Sequence, residues 1–400
     1  MTARRARARP GAAVLAVLLA AGSAHRAAAQ GSAATSAAPS AARWSVRMAE
    51  SVMRRHPVVS VRWDYTAGLV LLAIDRLARE TGKARYATYV QENMDRFVAP
   101  DGSIRTYDAR EHNLDQINQG RLLFPLYART HDDRYRKAAV LLREQLREQP
   151  RTSEGGFWHK QIYPNQMWLD GLYMAEPFYA EFARTFGDTA AFSDIALQFL
   201  LAARHTRDAR TGLFYHAWDA TRQQPWADPN TGQSPNFWGR AVGWYLMGAI
   251  DVLDDFPATH PDRAALVAVV RDLAGAVAKV QDPVTGLWYQ VLDQPSRAGN
   301  YLEASASSMF VYALAKGVRL GVLDPRFREV AERGYAGLVA HMVTVDADGL
   351  VSLHGICQVA GLGGKARRDG SFAYYVSEPV VTNDYKGVGA FILASLELGR

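Results

Sequence analysis

The pattern that most restricts this chain's fold is an apolar repeat at helical spacing along most of its length, broken by connections that alternate between short and long. Leu69, Leu72, Ala73 and Leu77 share one helical face, as do Leu172, Ala175, Tyr179 and Phe182, and again Val242, Leu246, Ala249 and Leu253. Strand-like alternation is scarce. Start and stop signals predict helices near 45–56, 64–81, 85–98, 115–131, 133–149, 169–186, 188–205, 240–256, 261–280, 303–321, 325–342 and 384–399. Tight links such as Thr81-Gly82-Lys83 and 256–260 alternate with long ones at 206–238, 281–302 and 343–383. A short link joins antiparallel neighbours, so twelve helices fall into six hairpins.

Three of the tight turns share wording. Ala78-Arg79-Glu80-Thr81, Ala128-Arg129-Thr130 and Ala183-Arg184-Thr185 each close a helix, a weak internal repeat. A helical solenoid would repeat every ~34–47 residues, whereas the helices that follow long loops start at 64, 115, 170, 240, 304 and 384, spaced 51 to 80 apart. A closed all-α barrel, (α/α)6, with irregular loops on one rim fits better, since long loops in a compact domain are usually functional.

The ends of the chain bear on where it works. Residues 1–29 read as a secretory signal: Arg4, Arg5, Arg7 and Arg9 precede the apolar run Gly11 to Ala21, and Ala27-Ala28-Ala29 offers a small-residue cleavage site. That run is shorter than the ~20 residues of a membrane span, so the expectation is an exported protein, periplasmic or secreted, without a membrane partner. Residues 30–43, rich in Ala and Ser, read as a flexible leader, and 44–400 as a single catalytic domain.

The formal charge of +6 owes most of its excess to the signal, because residues 1–29 hold five arginines and no acid. The remainder is near neutral, which removes the electrostatic case for nucleic acid as a partner. Cys357 is the sole cysteine, so no intramolecular disulfide staples the fold. Stability must come from a large core, and 9 Trp, 18 Tyr and 15 Phe can supply one. No metal-ligand spacing and no phosphate or dinucleotide loop appears, so neither cofactor nor metal is expected. Gly361-Leu362-Gly363-Gly364 reads as a flexible rim or lid.

At the predicted starts of the inner helices stand Trp63-Asp64-Tyr65, Leu114-Asp115-Gln116, Leu169-Asp170-Gly171, Trp238-Gly239-Arg240 and Asn383-Asp384-Tyr385. An aspartate there is ordinarily an N-cap, and that role is assigned to Asp64 and Asp384. Asp115 and Asp170 have more unusual company. Gly155-Gly156-Phe157-Trp158-His159-Lys160 leads into Asn165-Gln166-Met167-Trp168-Leu169-Asp170, placing rings beside polar forks as sugar recognition requires. His216 stands in a long loop, where a lone histidine is more often structural. Trp244 suits either core or pocket. Arg240 opposes the helix dipole at a helix start, which argues for an anionic partner, either an aspartate or a substrate carboxylate.

With these segments in hand, the chain resembles the unsaturated rhamnogalacturonyl hydrolases of glycoside hydrolase family 105, and more distantly the unsaturated glucuronyl hydrolases of family 88. The likeness runs from about Trp63 to Leu398 and rests on residues 155–160, 165–174, 238–244, 303–310 and 377–390. It implies an (α/α)6 barrel that hydrates the double bond of a Δ4,5-unsaturated galacturonosyl residue at the non-reducing end of a short rhamnogalacturonan oligosaccharide. By position Asp170 matches the catalytic acid/base and Asp115 its partner. His159, Lys160, His216, Trp238, Arg240 and Trp244 match the rest of the pocket.

Protonation of a vinyl ether at C4 builds oxocarbenium character at C5, where water attacks, so one carboxyl can give a proton and then take one. A charged Asp115 nearby and burial among Trp168 and Trp244 would favour a protonated Asp170, while the helix N-terminus would oppose it. Three alternatives stay open: an unsaturated glucuronyl hydrolase on other lyase products, a two-carboxylate glycosidase on saturated sugar, and a silent sugar-binding barrel. The residues set neither the sugar that follows the unsaturated one nor an oligomeric state. Pro177, inside the helix that carries Asp170, predicts a kink near Tyr173 to Glu176.

Overall fold

Each predicted helix has a counterpart in the computed structural model, which describes residues 40–364 and 368–400. The helices are α1 Ala41–Arg55, α2 Tyr65–Thr81, α3 Ala84–Asp95, α4 Leu123–Thr130, α5 Asp133–Glu148, α6 Leu169–Phe186, α7 Ala191–Thr206, α8 Gly239–Val252, α9 Arg263–Lys279, α10 Ala304–Arg319, α11 Arg326–His341, α12 Phe372–Ser377 and α13 Tyr385–Leu398. The export signal and most of the proposed leader lie outside the described residues. Its last stretch is corrected: α1 already begins at Ala41.

Helices α2, α4 with the turns before it, α6, α8, α10 and α13 pack each on the next, and α13 closes the ring on α2. Outside it, α3, α5, α7, α9 and α11 back the inner helix that precedes each of them, and α1 backs α13. This is the (α/α)6 barrel that the hairpin count implies. Burial separates the two rings: every residue of α8 is buried, as is α13 from Lys386 to Glu397, whereas α11 buries mainly one stripe, including Phe327, Val330, Ala331, Gly334 and Leu338. An inner helix has neighbours on all sides and an outer one only on its inward face. Close approach in the inner ring uses glycine. A Cβ on Gly248 of α8 would stand 3.1 Å from Leu172 O and Tyr173 Cα of α6.

The predicted helix 115–131 is corrected. Residues 114–116 and 118–122 form short 3₁₀ turns, and the α-helix begins only at Leu123. Tertiary partners override local periodicity here. Arg121 reaches Glu181 and Asp251 at 2.8 Å, and a Cβ on Gly68 of α2 would fall 2.8 Å from Gln119 Cα, so this turn lies directly against α2. Asn118 Nδ2 donates to Tyr173 O at 3.0 Å. That carbonyl is the one Pro177 leaves without its helical donor, and α6 runs unbroken from Leu169 to Phe186.

Among the described residues six short strands, in three antiparallel pairs, tie the rim loops together. They are β1 Gln166–Trp168 with β2 Ala217–Asp219, β3 Val343–Val345 with β4 Val351–Leu353, and β5 Ile356–Cys357 with β6 Val380–Val381. Further backbone bonds extend this belt: Leu114 N to His159 O, Leu169 N to His216 O, Gly239 N to Gln290 O and Ala304 N to Gly355 O. Amides left over at inner-helix starts are thus satisfied by neighbouring loops, and the loops are held in register around the mouth. Of the glycine-rich rim, Gly363 N and Arg368 O bond at 2.8 Å across residues 365–367, which lie outside the described residues.

Candidate active site

Asp64 and Asp384 are N-caps, as expected: Asp64 Oδ1 accepts from Thr66 N at 2.6 Å and Asp384 Oδ1 from Lys386 N at 2.9 Å. Asp170 and Asp115 cap nothing. Asp170 sits in the first turn of α6 after Trp168, and Asp115 lies in the turn capped by Asn113. Both carboxylates are thereby free to face the mouth, where their side chains keep 13% and 19% of their surface.

Their surroundings differ. Lys160 Nζ lies 2.5 Å from Asp115 Oδ2, and His159 Nε2 lies 3.3 Å from Oδ1. Burial pushes the Asp115 carboxyl up, but Lys160 and then His159 outweigh it and hold it below the ordinary aspartate range. Among the described residues Asp170 forms no ion pair with a lysine or arginine, although Lys160 is near enough to feel its charge. Its Oδ2 is 3.0 Å from His216 Nε2, without hydrogen-bond geometry on either atom. His216 is fully buried, and its Nδ1 pairs with Tyr375 OH at 2.8 Å. Its loop is fixed to the start of α6 through the bond from Leu169 N.

A stack of His159, Trp168 and Tyr163 forms one wall, with centroids 4.7 and 4.6 Å apart and nearly parallel planes. Trp238 and Trp244, matched to the pocket by the resemblance, are each 1% exposed. Trp238 lies against His216, with its Nε1 bonded to Gln290 at 3.1 Å, and Trp244 stacks on Tyr173 at 4.6 Å beneath the mouth. They act as walls and floor rather than open platforms.

Arg240 is equally buried, and its guanidinium lies 4.8 Å over Trp238. Among the described residues no carboxylate forms an ion pair with it. It donates instead to the carbonyls of Cys357 and Gln358 and to Ser305 Oγ, and its Nε is unpartnered. The alternative of an aspartate partner is set aside. Ser305 in turn bonds Glu303 at 2.7 Å, and Glu303 also accepts from Ala306 N and Cys357 N.

Sequence reasoning missed Tyr375, Glu303 and Lys386. Tyr375 lies on α12, a helix too short for periodicity to reveal. Burial, and next the Arg240 charge, hold Lys386 below the ordinary lysine range despite Asp384 at 2.8 Å. Among the described residues no group of three or more His, Cys, Asp or Glu is placed to hold a metal ion, and no helix is long and apolar enough to cross a membrane.

Residues 44–400 match the family described as Glycosyl Hydrolase Family 88. The chain belongs to glycosyl hydrolase family 88. A solved glycoside hydrolase of family 105 from C. acetobutylicum ATCC 824 shares 46% identity with this family 88 chain and superposes with a TM-score of 0.87, covering 89% of this chain and 99% of that one. Protein Atu3128 of Agrobacterium fabrum (strain C58 / ATCC 33970) is 41% identical over 230 residues, 56% of this chain and 97% of its own. Unsaturated rhamnogalacturonyl hydrolase YesR of Bacillus subtilis (strain 168) is 27% identical over 313 residues, 76% of this chain and 82% of its own. The resemblance read from the motifs is borne out: this is a glycosidase of the unsaturated uronyl hydrolase families 88 and 105.

One expected result concerns stability. Burial outweighs the attraction of Asp115 and brings His159 down to about 4, against 6.5 for the free side chain. Between those values the unfolded chain binds the extra proton, so stability from neutral His159 is complete above pH 6.5 and is lost as pH falls toward 4, by about 3 kcal/mol in all. Glu176, whose carboxyl burial holds well above its ordinary range, contributes a slope of opposite sign. The difference between parent and His159→Gln in urea unfolding from pH 7 to 4.5 therefore isolates the effect, and parallel curves would contradict it.

Proposed function

We propose that this enzyme removes the Δ4,5-unsaturated galacturonosyl residue from the non-reducing end of rhamnogalacturonan oligosaccharides by hydrating its vinyl ether. One observation carries the reading: two mouth carboxyls stand in unlike settings, Asp115 held ionised by Lys160 and His159, and Asp170, among the described residues, in no ion pair with a lysine or arginine and with its Oδ2 lacking a hydrogen-bond partner. Such a pair divides acid from base. Asp170 gives its proton to C4, and positive charge builds at C5 and the ring oxygen. Ionised Asp115 stabilises that charge across the ring. Water adds at C5 and returns a proton to Asp170, leaving a hemiketal. The hemiketal opens and releases the neighbouring sugar, so atoms balance as substrate plus one water.

Arg240, in no ion pair with a carboxylate among the described residues, suits the uronate carboxylate, with Lys386 behind it. The likeness to YesR, an unsaturated rhamnogalacturonyl hydrolase, favours rhamnose as the following sugar. The signal read in residues 1–29 puts the reaction outside the cytoplasm, in the periplasm or beyond.

The test is incubation with unsaturated disaccharides from rhamnogalacturonan, homogalacturonan and glycosaminoglycans, following the ultraviolet absorbance of the conjugated double bond. The expected result is loss of absorbance, fastest with the rhamnogalacturonan product. Cleavage of saturated glycosides with the chromophore untouched would make it a two-carboxylate glycosidase. Binding without turnover would make it a silent lectin-like barrel.

A further inference from the structure

On the Nδ1 side of His159 lies a small cavity lined by His159, Gly171, Glu176 and Gln198 together with apolar neighbours. It leaves about 10 Å³ for the centre of a water molecule, the threshold for holding one. Two of the residues around it carry a buried polar atom with no hydrogen-bond partner: His159 Nδ1 and Glu176 Oε2. His159 and Glu176 are 3% and 1% exposed. A Cβ on Gly171 would stand 3.1 Å from His159 Nδ1, so glycine leaves that nitrogen its approach. Gln198 Oε1 accepts from Phe157 N at 2.8 Å and keeps a second lone pair.

We propose that this cavity holds one structural water joining the carboxyl group of Glu176 to His159 Nδ1, and that Glu176 thereby positions His159 in the tautomer whose Nε2–H faces Asp115. The donors and acceptors close only one way. Ionised Asp115 can only accept, so the single proton of neutral His159 belongs on Nε2, and Nδ1 must accept. The water donates one hydrogen to Nδ1 and the other to Gln198 Oε1. It then needs a donor of its own, which the O–H of neutral Glu176 provides. An ionised Glu176 would reverse the chain, draw the proton to Nδ1 and turn a lone pair toward Asp115.

The charges around Glu176 are Asp194, Arg151 and Arg143, and those around His159 are Asp115, Lys160, Asp170 and His216. Burial is the largest influence at Glu176 and holds its carboxyl well above the ordinary glutamate range, in the direction of the neutral form the relay uses. The inference rests on Asp115 as the partner of the acid, but the water and the tautomer exist without substrate.

The test uses the full chain labelled with 15N at histidine, the His159 signals being assigned by their loss in His159→Gln. The parent is expected to show the Nε2–H form. Glu176→Gln, whose amide still donates, keeps that form and near-parental turnover. Glu176→Leu, which removes the donor, gives mixed tautomers and a kcat lower by about 10-fold at similar KM, less than the ~10²-fold of a full 1 Å misplacement. A high-resolution crystal structure of the parent should show water ~2.6–3.2 Å from both atoms.

A dry cavity, an Nδ1–H tautomer in the parent, or a Glu176→Leu enzyme with parental tautomer and kcat overturns the proposal. If Glu176→Leu does not fold, the parent's water and tautomer still decide. Finding both in an enzyme that turns over no unsaturated disaccharide would sink the functional reading and leave the water relay standing.

Discussion

Asp170→Asn is expected to fold like the parent and to turn over an unsaturated rhamnogalacturonan disaccharide ~10²-fold or more slowly, the scale of a lost general acid–base group. The substitution keeps size and shape and removes only the transferable proton. Little structure depends on that carboxyl, since Asp170 Oδ2 makes no hydrogen bond and the residue caps no helix. The charge lost from the first turn of α6 costs ~0.3–1 kcal/mol at most, because a negative group there favours the helix dipole. Parental circular dichroism with collapsed kcat is the outcome to look for. A folded Asp170→Asn enzyme with near-parental kcat would pass the acid role to Asp115, against the hold that Lys160 and His159 have on it.

The largest stability effect is expected at the far end of the barrel. Asp251, fully buried on α8, meets Arg121 at 2.8 Å, Lys316 at 2.6 Å, Arg76 at 3.5 Å and Tyr312 OH at 2.6 Å. Those cations lie on three other segments of the inner ring, so one carboxylate joins four walls at the floor. Burial alone would raise its pKa, but Lys316, Arg76 and Arg121 depress it far below the ordinary range.

Asp251→Ala leaves Arg121 and Lys316 buried without that partner, and breaking a buried pair in this way costs ~3–5 kcal/mol. A polar cavity of about 330 Å³, lined by Arg76, Lys316 and Glu181 among others, lets water reach part of the cluster and argues for the lower end. Urea unfolding at constant m-value measures it. A loss below about 1 kcal/mol would mean that water replaces Asp251 at little cost. Activity per folded molecule should change little, because the cluster touches none of the mouth residues.

Much of the barrel is legible in the sequence because helix periodicity and link length are local. The apolar spacing of α2, α6 and α8 and the tight turn at Gly82 need no knowledge of neighbours. What misleads is a segment whose polar residues are used at a distance. Residues 115–122 carry a helical pattern, yet Asn118 and Arg121 are taken by Tyr173 O, Glu181 and Asp251, and the backbone tightens to suit them. Around Pro177 α6 stays one continuous helix for a related reason, since the donor missing at Tyr173 O comes from another element.

At the site, the residues themselves draw attention to Asp115, Asp170, His159, Lys160 and Arg240, the resemblance adds His216, and the fold brings these into one mouth. The sequence by itself determined the helical hairpins, their number and the side of the ring on which the chemistry gathers, because periodicity and loop length are properties of neighbours along the chain. Only the tertiary structure decided which carboxyl is held ionised, that Trp238 and Trp244 serve as buried wall and floor, and that Arg240 pairs with no carboxylate among the described residues. Those facts depend on distances between segments far apart in sequence, over which Coulomb attraction and the loss of water act and local pattern does not.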